Sequence, residues 1–188
     1  ACEHWNVVPD VMTLAKGINN AALPLGATVV RKEIGQFLDE HMFYGGLTQF
    51  GNPTSCAAAM AAIRVYQEEG LVENSRILGE KLLNELEKMK ERHPSIGDVR
   101  GLGLFAAIEF VRDRKTREPL VAWTVENYEK KDPVISNLLG RMKVNGVTGY
   151  SRWNVLFIAP PLCITEEQLM EGLAKIDQAI DLVDEAIK

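Results

Sequence analysis

A mixed α/β fold in two parts is predicted by three features of the sequence. Short apolar runs bounded by Gly and Pro read as strands, and longer stretches with apolar residues at helical spacing read as amphipathic helices. The character of the chain also changes near residue 70. Residues 1–70 are rich in Gly, Ala and other small residues around loops, whereas residues 71–188 carry amphipathic helices and a few strands, as a separate α+β unit would. A length of 188 residues allows one substantial core or two smaller ones.

The apolar fraction of 46% and charged fraction of 25% are those of an ordinary globular protein. A net charge of -5 gives no reason to expect nucleic acid or an anionic membrane as partner. No apolar run approaches the roughly 20 residues that a membrane-spanning helix needs. Ala1-Cys2-Glu3-His4-Trp5 has neither the basic start nor the apolar centre of a signal peptide, and without an initiator Met the chain reads as beginning part-way through a longer product. Cys2, Cys56 and Cys163 lie far apart, which suggests reduced thiols and an intracellular, cytoplasmic setting. The 3 histidines are equally scattered and give no support to a zinc or catalytic histidine cluster.

In chain order, Val11–Leu14 reads as a buried strand that ends at Ala15-Lys16-Gly17, and Ala27–Val30 as a second strand. Residues 31–40 form a short helix with Ile34, Phe37 and Leu38 on one side, followed by a glycine-rich loop from Tyr44 to Gly51. Asn52 caps the next helix and Pro53 takes its first position; the alanine-rich run continues to Glu69, and Gly70 stops it. A helix over 73–92 places Leu78, Leu82, Leu86 and Met89 on one stripe, with Pro94 and Gly97 ending it. Gly103–Val111 is the strongest strand, Arg112–Pro119 a charged turn, and residues 120–150 hold one helix around 134–144. Val155–Ile158 is a final strand. Thr165 and Gln168 then form a capping box before a helix carrying Leu169, Leu173, Ile176, Ile180, Val183 and Ile187.

A lysine directly after a buried strand and before a glycine is unusual, because burying an ammonium costs several kcal/mol, on the order of the ionic desolvation penalty. A lysine that condenses with a carbonyl escapes that cost, and a depressed pKa makes its amine a nucleophile and a base. On position alone, Lys16 is still more simply a surface-loop residue. The run Gly45-Gly46-Leu47-Thr48-Gln49-Phe50-Gly51-Asn52-Pro53 lets backbone approach an anion, with a Thr48 hydroxyl and a helix N-terminus at hand; it fits a tight helix–helix connection equally well.

Taken together the motifs resemble one family. Val8–Gly17 followed by Pro24-Leu25-Gly26-Ala27 resembles the lysine signature of class III (ω-) aminotransferases. Thr48–Pro53 is similar to that family's Thr-x-x-Gly-x-Pro loop, with Asn52 where members usually have His. Val99-Arg100-Gly101-Leu102-Gly103-Leu104 resembles the strand opening the small domain, and Ala159-Pro160-Pro161-Leu162 the final motif.

The resemblance implies fold-type I architecture: residues 1–70 would be the end of a large pyridoxal-phosphate domain built on a mostly parallel sheet, and residues 71–188 the small carboxy-terminal α/β domain. It implies pyridoxal 5′-phosphate as cofactor, a Schiff base on Lys16, and a Thr48 hydrogen bond to the phosphate of the neighbouring subunit's cofactor, hence a homodimer with shared active sites. Arg152 is a candidate carboxylate clamp, although the family's arginine falls nearer Tyr150 and a solvated loop arginine fits equally well. Arg100 reads as structural, and Trp153 as a pocket wall or a packed aromatic. The implied reaction is transamination from an ω-amine or ω-amino acid donor to a keto acid such as pyruvate, closest to the taurine and β-alanine branch. The family's aspartate for the pyridinium nitrogen, its phosphate cup and its ring-stacking aromatic would precede Ala1, so isolated residues 1–188 are expected to be inactive. The alternatives are an aminomutase or racemase of the same fold, or a part that serves only packing or dimerisation.

Overall fold

The computed structural model describes residues 2–130 and 132–188. The chain divides into two compact units, Ala1–Gly70 and Leu71–Lys188.

In the first unit, strand β1 (Val11–Leu14) pairs antiparallel with β2 (Ala27–Val30), so that Val11 faces Val30 and Leu14 faces Ala27. β1 is not the buried strand the apolar run suggested: within this chain only Met12 is even half-buried, because a two-stranded ribbon covers neither of its own faces. Arg31 donates to Asp10 at 2.7 Å and closes one end of the ribbon. Helix α1 (Lys32–Glu40) follows, then an irregular stretch, then α2 (Pro53–Glu68). Asn52 caps α2 by accepting from the Thr54 and Ser55 amides at 3.0 and 3.2 Å, and Gly70 ends the run with φ +61°.

In the second unit, α3 (Leu71–Arg92) starts two residues before its predicted position and buries Leu78, Leu82, Leu86 and Met89. The sheet has strand order β3-β4-β7-β6, with β3 Ile96–Leu102, β4 Phe105–Asp113, β6 Tyr150–Arg152 and β7 Val155–Ile158. A short β5 (Glu118–Pro119) pairs with β4. Among the described residues every strand pair is antiparallel, and the mostly parallel sheet implied for a complete large domain is not among them.

Two expectations need correction here. Gly97 lies inside β3 rather than ending the helix region, and Gly103-Leu104 is the turn of a β3–β4 hairpin rather than the start of the strand. The reason is tertiary. Gly103 adopts φ +56°, the Ser75 hydroxyl accepts the Leu104 amide at 3.1 Å, and a Cβ on Gly79 would lie 2.4 Å from the Gly103 backbone. The hairpin turn is therefore pressed against α3, and only glycine on both sides allows it.

The poorly legible stretch after residue 119 contains α4 (Val125–Glu129) and β6 besides the predicted helix, which is α5 (Pro133–Val144). Helix α6 (Glu166–Ala186) begins with the expected capping box at Thr165 and Gln168. Ala106, Ile108, Phe110, Leu156 and Ile158 on the sheet pack in one core with apolar residues of α3, α5 and α6. The opposite sheet face carries Phe105, Phe157 and Tyr150 in a stack with centroids 6.1 and 5.7 Å apart. His93, 5% exposed, joins α3 to α6 through Asp184 at 2.6 Å and Asp177 at 3.0 Å. No described helix is long and apolar enough to cross a membrane.

Candidate active site

Lys16 opens a single 3-10 turn, Lys16–Ile18, immediately after β1. Its backbone sits at φ +54°, the left-handed region that costs a non-glycine residue roughly 1 kcal/mol. The turn's own backbone bonds are long: Ile18 to Ala15 is 3.3 Å, and Asn19 and Ala21 to the Lys16 carbonyl are both 3.4 Å. Firmer contacts come from side chains. The Tyr66 hydroxyl on α2 donates to the Gly17 carbonyl at 2.7 Å, and buried Asn19 donates to the Leu23 carbonyl at 2.6 Å. The Lys16 side chain is exposed within this chain and, among the described residues, has no ion-pair partner.

Thr48 is exposed in the turn Thr48–Gly51 that leads into α2, where Gly51 supplies φ +65°. The helix N-terminus behind it is partly used: Asn52 occupies two of the first free amides and also donates to Gln49 at 2.9 Å. Anion binding here would rest on the Thr48 hydroxyl and the loop backbone more than on the α2 terminus that the sequence suggested. Tyr66 lies 13 residues beyond Pro53, so α2 puts about 20 Å of helix between its first turn and its contact with the lysine turn. Within one chain the Lys16 turn and the Thr48 loop therefore attach to opposite ends of α2.

Arg152 belongs to the second unit, on β6 opposite Val155. It is exposed, and its guanidinium stacks over Tyr128 at 4.7 Å and Trp153 at 4.9 Å from the ring centroids. Tyr150, two residues earlier on the same strand, points to the same sheet face. Trp153 is packed rather than free: it stacks on Trp123 at 5.5 Å and donates to the Thr124 carbonyl at 2.8 Å. Wholly buried Asn154 accepts from the Trp123 indole and donates to the Phe110 carbonyl at 2.7 Å. Arg100 is held between Asp98 at 2.7 Å and Glu109 at 2.8 Å, bonds that raise its pKa above the ordinary arginine value. Both partners lie on the strands β3 and β4 of its own sheet.

Sequence reasoning missed Tyr66. It is the one aromatic of α2, and nothing in the local pattern signals a partner 49 residues away.

Within this chain, therefore, the Lys16 amine and the Thr48 hydroxyl do not share one site. The model of the class III aminotransferase family matches residues 1–180, and the chain belongs to that family. Pyridoxal 5′-phosphate is the cofactor to which the family and its solved structures point. Taurine–pyruvate aminotransferase of Bilophila wadsworthia is 35% identical over 196 residues, covering 97% of this chain and 41% of that protein. Leucine/methionine racemase of Thermococcus litoralis is 37% identical over 187 residues, covering 98% and 39%. The structure of taurine:2-oxoglutarate aminotransferase from Bifidobacterium kashiwanohense, in complex with the cofactor and glutamate, superposes with a TM-score of 0.88 at 33% identity, covering 100% of this chain and 41% of that one. The chain thus spans about two fifths of the length of these relatives.

Proposed function

We propose that this chain is the lysine-bearing part of a pyridoxal-phosphate transaminase that moves an amino group from an ω-amine or ω-amino acid to a keto acid such as pyruvate. The observation that carries the reading is the exposed, unpaired Lys16 amine in a strained turn at the end of β1. On this reading residues 1–70 end the large cofactor domain and residues 71–188 form the small domain. Pyridoxal 5′-phosphate, when bound, supplies an aldehyde carbon for amines and a ring that draws electrons from the bond being broken. Lys16 holds the cofactor covalently between turnovers. With its amine free, Lys16 Nζ would take up a proton from the substrate carbon and later return one, which is general acid–base work by one group.

Thr48 donates its hydroxyl to a phosphate oxygen of the cofactor held by the second protomer. The opposite placement of the Thr48 loop and the lysine turn along α2 supports a division between two sites. Met42, Phe43, Tyr44, Leu47 and Phe50 are all more than 60% exposed around Thr48, and an apolar surface of that size favours a protein partner such as a second copy. Arg152 is the group proposed to meet the acceptor's carboxylate, for which it would leave its stack on Tyr128 and Trp153. Three free cysteines among the described residues support a reducing, cytoplasmic setting.

The deciding experiment is Lys16→Ala in the full natural polypeptide that carries these residues. Turnover should fall by about a thousandfold or more, and borohydride should no longer fix the cofactor to the protein. A Lys16→Ala protein with normal turnover would sink the proposal. Likeness to the racemase favours one second reading, racemisation on the same lysine. Incubation with an amine and pyruvate separates the two, since only a transaminase produces alanine.

A further inference from the structure

The Lys16 turn is poorly held by its own backbone. Its internal N–H···O contacts lie at 3.3–3.4 Å, at the weak end of the range, while its first residue carries left-handed strain. The preceding residue gives no help, because Ala15 has no side chain with which to cap the turn. One contact from outside the turn is short and well formed: the Tyr66 hydroxyl on the Gly17 carbonyl at 2.7 Å, the ordinary length of an O–H···O bond. The hydroxyl lies close over Gly17, where an added Cβ would stand 3.6 Å from it, an ordinary van der Waals contact. Tyr66 sits in the last turn of α2, a helix rooted at its other end by Pro53 and the Asn52 cap, and so is carried on a rigid element rather than a loop. A 3-10 turn with weak internal bonds takes its direction from whatever fixes its carbonyls, and here that direction sets how the Lys16 side chain leaves the backbone.

We propose that Tyr66 is a positioning residue for Lys16: its hydroxyl fixes the turn so that the Lys16 amine is presented in one orientation for bonding to the cofactor and for proton transfer. This rests on the assignment of Lys16 made above and deepens it. The bond Tyr66 makes is to the backbone of the turn and not to the Lys16 side chain, so its removal should leave amine binding in place and loosen the geometry of the amine.

The test is Tyr66→Phe in the cofactor-loaded full polypeptide, alongside Lys16→Ala. Three quantities are read: the pH midpoint of the lysine–cofactor absorbance band without substrate, the single-turnover rate with amine donor, and the donor's dissociation constant. Tyr66→Phe is expected to slow the single turnover by about three- to tenfold and to displace the pH midpoint, with donor affinity within about twofold, the size expected for one lost hydrogen bond. A Tyr66→Phe protein that merely melts earlier, with midpoint and single-turnover rate unchanged, overturns the positioning role. So does a loss confined to donor affinity. If Lys16→Ala keeps the band, the assignment of Lys16 itself fails, and Tyr66 falls with it. If Lys16→Ala loses the band while Tyr66→Phe matches the wild type, only the positioning role fails.

Discussion

At the scale of single residues, the first unit depends on polar side chains that organise backbone. Asn52 does the most with one side chain: its carbonyl oxygen caps α2 and its amide ties back to Gln49, so the loop carrying Thr48 and the helix carrying Tyr66 share one fastening. Asn52→Ala should lower stability by about 1 kcal/mol, whereas Asn52→Asp, which keeps the acceptor, should lose much less. Denaturant unfolding of the two variants side by side checks this, and equal losses would show that the cap bond is not what matters.

At the scale of elements, the close approach of α3 to the β3–β4 hairpin governs the second unit. Gly79 and Gly103 meet backbone to backbone, and Ser75 fills the remaining amide of the turn. Gly79→Ala, normally a helix-favouring change, should therefore destabilise by about 3 kcal/mol, since the new methyl must displace backbone rather than a flexible side chain. A thermal melt of the variant decides it, and a stabilised Gly79→Ala protein would refute the contact. Other fastenings also join elements that are distant in sequence. Asn74 on α3 donates to the carbonyls of Leu162 and Ile164 at 2.7 and 3.1 Å, holding the loop after the Pro160-Pro161 motif. The Trp123 and Trp153 indoles each bond across to the other's segment, at Asn154 and Thr124, and fix the stretch that the sequence left least legible.

At the scale of the whole molecule, the two units differ in what they bury. The second has an extensive apolar core, whereas in the first Ala59 is the single buried hydrophobic among the described residues. That contrast is expected where the first unit is only part of a larger domain, since the chain spans about two fifths of its relatives' length. A complementation experiment tests the proposed division of each site between two protomers. Lys16→Ala and Thr48→Val variants are each expected to be impaired, but when unfolded and refolded together they should form mixed dimers. One site in each mixed dimer then combines an intact Lys16 with the other protomer's intact Thr48. Recovery of activity beyond that of either variant alone is expected, and no recovery despite verified mixed dimers would place Thr48 and Lys16 in the same protomer's site.

Much of this protein was legible in its order of residues. Local rules placed α1, α2, α5 and α6 and their caps at Asn52 and Thr165, because propensity, capping and apolar spacing act within a few residues. The lysine and threonine motifs stood out because Gly and Pro at fixed offsets mark backbone that only those residues allow. Tertiary structure decided what depends on distant partners. Gly97 and Gly103 look alike in sequence, yet one lies within a strand and the other makes a hairpin turn, because only the second is pressed against α3. His93, one of 3 scattered histidines, acquires its two carboxylate partners from a helix more than 80 residues away. β1 reads as buried from composition but is open, since an apolar run specifies a tendency to be covered and not what covers it. Tyr66 owes its place beside Lys16 to the path of α2 alone, a long-range contact that no local pattern encodes.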